Sequence, residues 1–498
     1  MNLIFLDSEG TIRTRGKILS NIDEIFNQYE QNDLVPILAT GLPKHLILNH
    51  YKNVYDFKYL ISSNGALITN SFNEVLYYEP IKTNILEFLV EERKNYRFHI
   101  KATVYGEEYT TNINYVDEHT HYLTFDEIKT LKDYAQVYIK VDLDLSDEEK
   151  LEIINNFDNS NLSKKDKRKY LKLLENKNVD DIYKFIAYIN LIPLREKVKK
   201  IEGIVIGNES ENFYNFDIEN EDTWLSINAS GVSKYSAIKF LSNYLKVDLT
   251  NTIFVGNDLN DQEALLNCPF SISVLGKKRK INVSNGLNIK ERNVEFVLYY
   301  LLAYLKSGFS VNEFKKDIFN TDLNIPLIAR LSDCKESISN IRFGARGVVF
   351  NEDNEVVLFY KERIGEIKLP GGGLEANEKP VDAFRREIME ETGYSISDIK
   401  LVGYTLERKR RNNFKQFSFV FTAKTASNDI AKPTEEEQLD LGRKITYSKA
   451  VAAMKFEHAL SELKNLESLD LYHEKFIVKR DKKIFNYVTK RAKLWEKF

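Results

Sequence analysis

Two carboxylates, Asp7 and Glu9, follow the apolar run NLIFL directly, with Gly10 and Thr11 behind them. A carboxylate at the mouth of a buried strand attacks phosphorus well only if something offsets the charge of both partners. Candidates recur at the ends of three more apolar runs: Thr40-Gly41 after LVPILA, Ser62-Ser63-Asn64 after YLI, and Asn257-Asp258 after TIFVG. Lys234 lies in SGVSKYSAIKFL, just behind Ser233, which suits a helix N-cap. A lysine there opposes the helix dipole and makes sense if an anion binds at the helix start. The run VGNDLNDQEAL adds Asn257, Asp258, Asn260 and Asp261, oxygen donors suited to a hard cation.

A second acidic set lies in LPGGGLEANEKPVDAFRREIMEETGY. Pro380 suits a first helical turn and Gly393 a left-handed stop, so the spacing predicts a helix over 380–392. Val381, Phe384 and Ile388 mark its core face, while Glu387, Glu390 and Glu391 share another face. Like charges at those spacings repel by a few tenths of a kcal/mol per pair, about 0.2–0.5. A divalent cation removes the objection, and Mg²⁺ favours carboxylates combined with substrate phosphate oxygens. The glycines of LPGGGLE allow close backbone approach.

The elements that must position these residues follow from periodicity. Short continuous apolar runs ending in polar residues read as strands of a parallel sheet buried on both faces, with ligands at their carboxyl ends. Helical patterns (IDEIFNQYE, PKHLILNHY, KYSAIKFLSNYL) lie between them. HIKATVYG and AQVYIKVDLDL alternate instead, predicting half-exposed antiparallel strands in an inserted α+β lobe. The expected organisation is a first domain over 1–310, with its core in 1–82 and 206–310 and the lobe over 83–205. A connector over 311–338 leads to a final domain over 339–498 with a helical tail.

The first set resembles a haloacid dehalogenase (HAD) superfamily phosphatase of the Cof type: DxxGT at Asp7 to Thr11, Thr40-Gly41, SNGA from Ser63, Lys234, and GNDxND from Gly256. The resemblance implies an α/β, Rossmann-like core with an inserted C2-type cap, Asp7 as nucleophile and Glu9 as general acid and base. It implies phosphoryl contacts from Thr40 and Lys234, a substrate pocket including Gly10, Thr11, Gly41 and Asn64, and Mg²⁺ held by Asp7, the Glu9 carbonyl, Asn257, Asp258 and Asp261. Three positions depart from the family: Glu9 and Asn257 where Asp is usual, and Leu42 where Arg is common. The second set resembles the Nudix box, with Gly372, Glu378, Arg386-Glu387-Ile388, Glu390-Glu391 and Gly393-Tyr394 in register. That implies an α/β/α sandwich and hydrolysis of a diphosphate linked to a group X. Glu390, Glu391 and the Gly371 carbonyl would hold the metal, Glu387 would be ligand or base, and Arg386 would orient the glutamates. Glu435, Glu436 and Glu437 are offered as a downstream acid, without a choice among them.

The expectation is a hydrolase with two sites, using magnesium with manganese as the alternative ion. Its expected partners are small phosphate esters and nucleoside diphosphate derivatives. The competing expectation makes one domain, the HAD one first, a catalytically weak nucleotide sensor. Composition fits a folded hydrolase: 498 residues exceed one ordinary core, with 43% hydrophobic and 29% charged residues. A net charge of −3 without a basic block argues against nucleic acid as main partner. Cys268 and Cys334 alone build no disulfide framework, so a reducing cytoplasm is expected. No apolar run approaches the ~18 residues of a membrane span, and no signal peptide is read at the N-terminus.

Overall fold

The structure is a computed structural model and describes residues 1–206, 223–276, 280–319, 323–332, 340–361, 366–409, 414–427, 443–463 and 469–495. Glu435, Glu436, Glu437 and Cys334 lie outside the described residues. The chain divides into two compact units, residues 1–26 with 33–291, and residues 27–32 with 292–498.

In the first unit, the sheet runs in the order Gly286–Lys290, Ser271–Leu275, Thr252–Gly256, Asn2–Leu6, Leu34–Ala39, Tyr59–Ser62, Leu67–Asn70, Val75–Tyr78. Neighbours from Gly286–Lys290 to Tyr59–Ser62 are parallel, and the last two strands turn back antiparallel. LVPILA and TIFVG are buried at every position, the pattern of strands covered on both faces. The first strand is central. The chain leaves it toward Leu34–Ala39 on one side and reaches Thr252–Gly256 on the other, so the strand order reverses here. Open α/β sheets bind ligands beyond the strand ends at such a reversal.

The inserted lobe carries its own sheet, Thr120–Tyr122, Glu107–Thr110, Phe98–Val104, Gln136–Val141, Thr223–Ala229, Ile204–Ile206. Its core joins Phe98, Ile100, Val137 and Ile139 to Leu225 and Ile227. The expected end of the lobe at 205 is therefore corrected: Thr223–Ala229 pairs antiparallel with Gln136–Val141, so the chain leaves this sheet only at Ala229.

The second unit is built on Leu327–Ser332, Ser395–Lys409, Phe414–Ser427, Ile341–Phe350, Val356–Lys361 and Glu366–Lys368, in that order. Gly371–Gly373 pairs with Ile341–Phe350, and Arg443–Tyr447 with Val356–Lys361. Alternation sorts its two faces. Val348, Leu358, Ile367 and Val420 pack with helices Lys449–Glu462 and Leu469–Trp495. Phe421, one residue on and so on the other face, stacks at 5.0 Å on Phe384 of helix Pro380–Thr392. Phe417 and Phe419 share that face and meet Phe296 of helix Val294–Lys306. The sandwich of helix, sheet and helix is thus present. The domain boundary expected at 310 is corrected to Glu291/Arg292, because helices Val294–Lys306 and Val311–Ile318 cluster with this unit. The expected connector is not a linker either, since Leu327–Ser332 pairs with Ser395–Lys409. Among the described residues, no helix is long and apolar enough to cross a membrane.

Candidate active sites

Register brings the first set together. Leu6 pairs with Val255, so Asp7 and Asn257 leave the ends of adjacent parallel strands. Leu6 also pairs with Leu38, which sets Thr40 two residues further along the other neighbour. Helix Lys234–Tyr244 starts at the same end, its Ser233 cap accepting the Ser236 N–H at 3.0 Å. Lys234 is fully buried, and its Nζ donates to Asp7 Oδ1 at 2.6 Å and Asp261 Oδ1 at 2.5 Å. Burial alone would lower this lysine, but the Asp261 and Asp7 carboxylates outweigh it and hold its pKa above the ordinary value. Asp7 is pushed up to about 7, by burial first and by Asp261 second, against the pull of Lys234.

Asp261 Oδ2 accepts the backbone N–H groups of Asn257 and Asp258 at 2.9 and 3.1 Å. The Asp258 carboxylate caps its own turn, accepting the Leu259 N–H at 2.6 Å. One side-chain atom of the Asn257 amide stands 2.9 Å from the Glu9 carbonyl oxygen, 3.0 Å from Asp7 Oδ2 and 3.2 Å from Thr11 Oγ1. As nitrogen, that atom donates to its neighbours. As oxygen, it accepts from the Thr11 hydroxyl and faces the other two oxygens, an arrangement a cation would relieve. Mg²⁺ with ligands at 2.0–2.1 Å in octahedral geometry sets adjacent ligand oxygens about 2.9 Å apart, which is the spacing found here. The donor set therefore fits the ion. Gly10 adopts φ +77°, and a Cβ there would stand 2.2 Å from Asn257 Nδ2.

Glu9 is engaged in an ion pair. Its carboxylate pairs with Arg13, four residues on, and its side chain is 40% exposed. Thr40 accepts the Leu42 N–H on its hydroxyl and the Asn64 N–H on its carbonyl. Asn64, left-handed at φ 58°, donates to Asn228 Oδ1 at 3.2 Å and accepts from Asn260 at 3.1 Å. The inserted lobe reaches the same loop: Gln136 Nε2 and the Tyr138 hydroxyl donate to the Gly41 carbonyl at 3.2 and 2.9 Å. Sequence reasoning missed Arg13, Gln136, Tyr138 and Asn228, and also Tyr51, whose hydroxyl lies 2.9 Å from Ser8 Oγ. Gln136 and Tyr138 stand two apart on one strand face, but alternation does not reveal which face meets a site. The lobe also gathers His99, Asp142 and Asp144, with His99 Nε2 3.2 Å from Asp142 Oδ1.

In the second unit, the predicted helix 380–392 runs Pro380–Thr392 and ends at Gly393 with φ 73°. Arg386 organises its acids: Nε and Nη2 take both Glu378 oxygens at 2.9 and 3.0 Å, and Nη1 takes Glu387 Oε1 at 3.0 Å and Glu390 Oε2 at 2.9 Å. Nη2 also donates to the Gly373 carbonyl at 2.9 Å, tying helix to glycine loop. Glu391 is buried, and its Oε2 accepts the Gly371 N–H at 2.7 Å. Burial pushes Glu391 up to about 7, against Lys368 and that N–H, and burial also raises Glu387 against Arg386. A Cβ on Gly372 would meet Glu387 Oε1 at 2.3 Å. Buried carboxylates that resist ionisation, packed against bare backbone, fit a divalent cation that would restore their charge.

A family profile described as haloacid dehalogenase-like hydrolase matches residues 4–282, and one described as NUDIX domain matches residues 341–466. The chain is 39% identical over 83 residues to an RNA pyrophosphohydrolase of Bartonella clarridgeiae, covering 14% of this chain and 48% of that protein. It is 30% identical over 123 residues to an RNA pyrophosphohydrolase of Bartonella bacilliformis, covering 20% and 72%. The chain spans about half the length of the first of these relatives. Similar solved structures include a subclass IIB sugar phosphatase of the HAD superfamily, at 16% identity, 56% of this chain, 90% of that one and a TM-score of 0.38. A phosphatase of Bacteroides thetaiotaomicron matches at 12% identity, 61% and 95% coverage and a TM-score of 0.40.

Proposed function

We propose, from the premise that the chain belongs to the haloacid dehalogenase-like hydrolases and carries a NUDIX domain, that it is a metal-dependent hydrolase with two phosphorus-directed sites. The domain limits are part of this reading: a phosphatase with a C2-type cap in the first unit and a Nudix module in the second. The Nudix module cleaves a nucleoside diphosphate linked to X into a nucleotide and X-phosphate. The other module removes phosphate from one of those products or from a separate sugar phosphate.

One observation carries the reading. In both sites a glycine stands where any Cβ would strike a proposed ligand side chain, Gly10 against Asn257 and Gly372 against Glu387. Backbone that approaches acidic and amide groups this closely supports a compact site for a small cation that keeps part of its water shell. Asp7, Asn257 and the Glu9 carbonyl would hold Mg²⁺ in the first site, and Glu387, Glu390, Glu391 and the Gly371 carbonyl in the second, where the ion neutralises phosphate charge. In the phosphatase, Asp7 attacks phosphorus and the ester oxygen departs with its electron pair. Glu9 protonates that oxygen. Glu9 then takes a proton from water, which cleaves the aspartyl phosphate to inorganic phosphate and regenerates Asp7. Lys234 and Thr40 bind the phosphoryl oxygens.

The test is a panel of nucleotide sugars, ADP-ribose and sugar phosphates with Mg²⁺. Because the curated relatives are named for RNA, a 5′-triphosphorylated RNA end joins the panel. Glu390→Gln is expected to abolish diphosphate cleavage and leave phosphatase turnover intact. Loss of both activities, or of neither, counts against two sites. A second reading, that the first domain senses a nucleotide and turns over poorly, is favoured by the Glu9–Arg13 ion pair, which occupies the proposed acid. Turnover of a generic phosphate ester that is lost in Asp7→Asn excludes it.

A further inference from the structure

The Nudix match ends at residue 466, yet helix Leu469–Trp495 sends a fully buried acid and its arginine under the glycine loop. Asp481 is 0% exposed, and its Oδ2 accepts the Leu369 N–H at 2.9 Å. Its Oδ1 accepts from Arg480 Nε at 2.6 Å. Arg480, 3% exposed, also donates to both oxygens of buried Glu407, at 3.1 and 3.4 Å. Arg346 Nη1 lies 3.9 Å from Asp481 Oδ1, and its Nε has no hydrogen-bond partner among the described residues. Arg346 is the strand residue that pairs with Gly371.

Each of these ions costs several kcal/mol to bury, and such networks are weak sources of stability compared with apolar packing. Position gives this one a role. Leu369 stands two residues before Gly371, so the loop is held at both ends by carboxylates: Asp481 takes the Leu369 N–H from the C-terminal helix, and Glu391 takes the Gly371 N–H from the Nudix helix. Between them, the Gly347 N–H donates to the Pro370 carbonyl.

We propose that Asp481, locked in orientation by Arg480, is a positioning residue for the Nudix metal site. It fixes the Leu369–Gly371 backbone and thereby the approach of the Gly371 carbonyl and Glu391 to the cation. This rests on the Nudix half of the proposed function. Partners that orient metal ligands from behind typically matter by about 10–100-fold in metal affinity or activity.

The experiment uses the full-length chain, with diphosphate cleavage and direct Mg²⁺ titration measured on wild type, Asp481→Ala and Asp481→Asn. Wild type must first cleave a diphosphate; if it does not, the functional reading fails rather than this inference. Asp481→Ala is expected to lower kcat by about 10–100-fold with KM within about threefold. It is expected to weaken Mg²⁺ binding by a similar factor and to speed amide exchange at Leu369 and Gly371. Asp481→Asn keeps an acceptor for the Leu369 N–H and is expected to recover most of kcat. An Asp481→Ala protein with wild-type kcat and Mg²⁺ affinity overturns the proposal. So do equal losses in both variants that track melting temperature. If Asp481→Ala does not fold, Arg480→Lys decides, because lysine cannot hold Asp481 and Glu407 together as the guanidinium does: a weaker Mg²⁺ affinity at an unchanged melting temperature supports the proposal, and unchanged affinity overturns it.

Discussion

At the residue scale, two acids behave as a matched pair although they sit in different folds. Burial pushes Asp7 and Glu391 each to about 7, above the ordinary carboxylate range. A carboxyl whose folded-state pKa is raised stabilises the fold in its protonated form. That contribution is full below about pH 4 and is lost as pH rises through 7. In the presence of a chelator, melting temperature is therefore expected to fall between pH 5 and pH 8. With saturating Mg²⁺ the slope should flatten or reverse, because the cation binds the deprotonated form. Calorimetry at the two pH values, with and without chelator, checks this, and a chelated protein that gains stability toward pH 8 sinks it. That Asp7, Lys234 and Asp261 gather at the strand ends, and that Glu391 shares a helix with Glu387 and Glu390, was legible in the sequence from strand ends and helix spacing. The environment of Glu9 was not. Its Arg13 partner arrives through a tight turn, closed by the Gly10 N–H to the Arg13 carbonyl, that no periodicity describes.

At the element scale, local signals were read well and distant pairings poorly. Helix Pro380–Thr392 was legible to the residue because proline at its first position and left-handed Gly393 at its end are local chemistry. Replacing Gly393 with alanine forces an L side chain into φ 73° and is expected to cost about 1–2 kcal/mol, read by urea unfolding of the full chain. An unchanged midpoint would show that the helix end relaxes freely. The lobe boundary, by contrast, was misplaced because Thr223–Ala229 owes its place to Gln136–Val141, more than eighty residues earlier. Likewise, helix Val294–Lys306 is apolar nearly all round, so its sequence has no stripe to name the sheet it covers.

At the scale of the whole molecule, a family match and a folded unit are different lengths of chain. The Nudix match stops at 466, but Val478, Ile484, Phe485 and Val488 complete the core shared by Val348, Leu358 and Val420. Burying four such side chains contributes roughly 6–12 kcal/mol at about 1.5–3 each, comparable with the entire margin of a typical domain, about 5–15 kcal/mol. A chain ending at residue 463 is expected to lose diphosphate cleavage and to expose its second unit to protease, while phosphate-ester turnover persists. Retention of both activities would show the terminal helix to be dispensable. The sequence placed this helical tail within the final domain over 339–498 but did not reveal which of its side chains complete the core.

The Asn257 amide has a consequence of another kind. A carboxylate in its place would look the same whichever way it turned, but an amide has two unlike ends. Near the Glu9 carbonyl and Asp7 its nitrogen donates to both, whereas the proposed Mg²⁺ would take its oxygen. A single ¹⁵N label on that side chain thus becomes a spectroscopic gauge of occupancy, readable during titration and independent of any substrate.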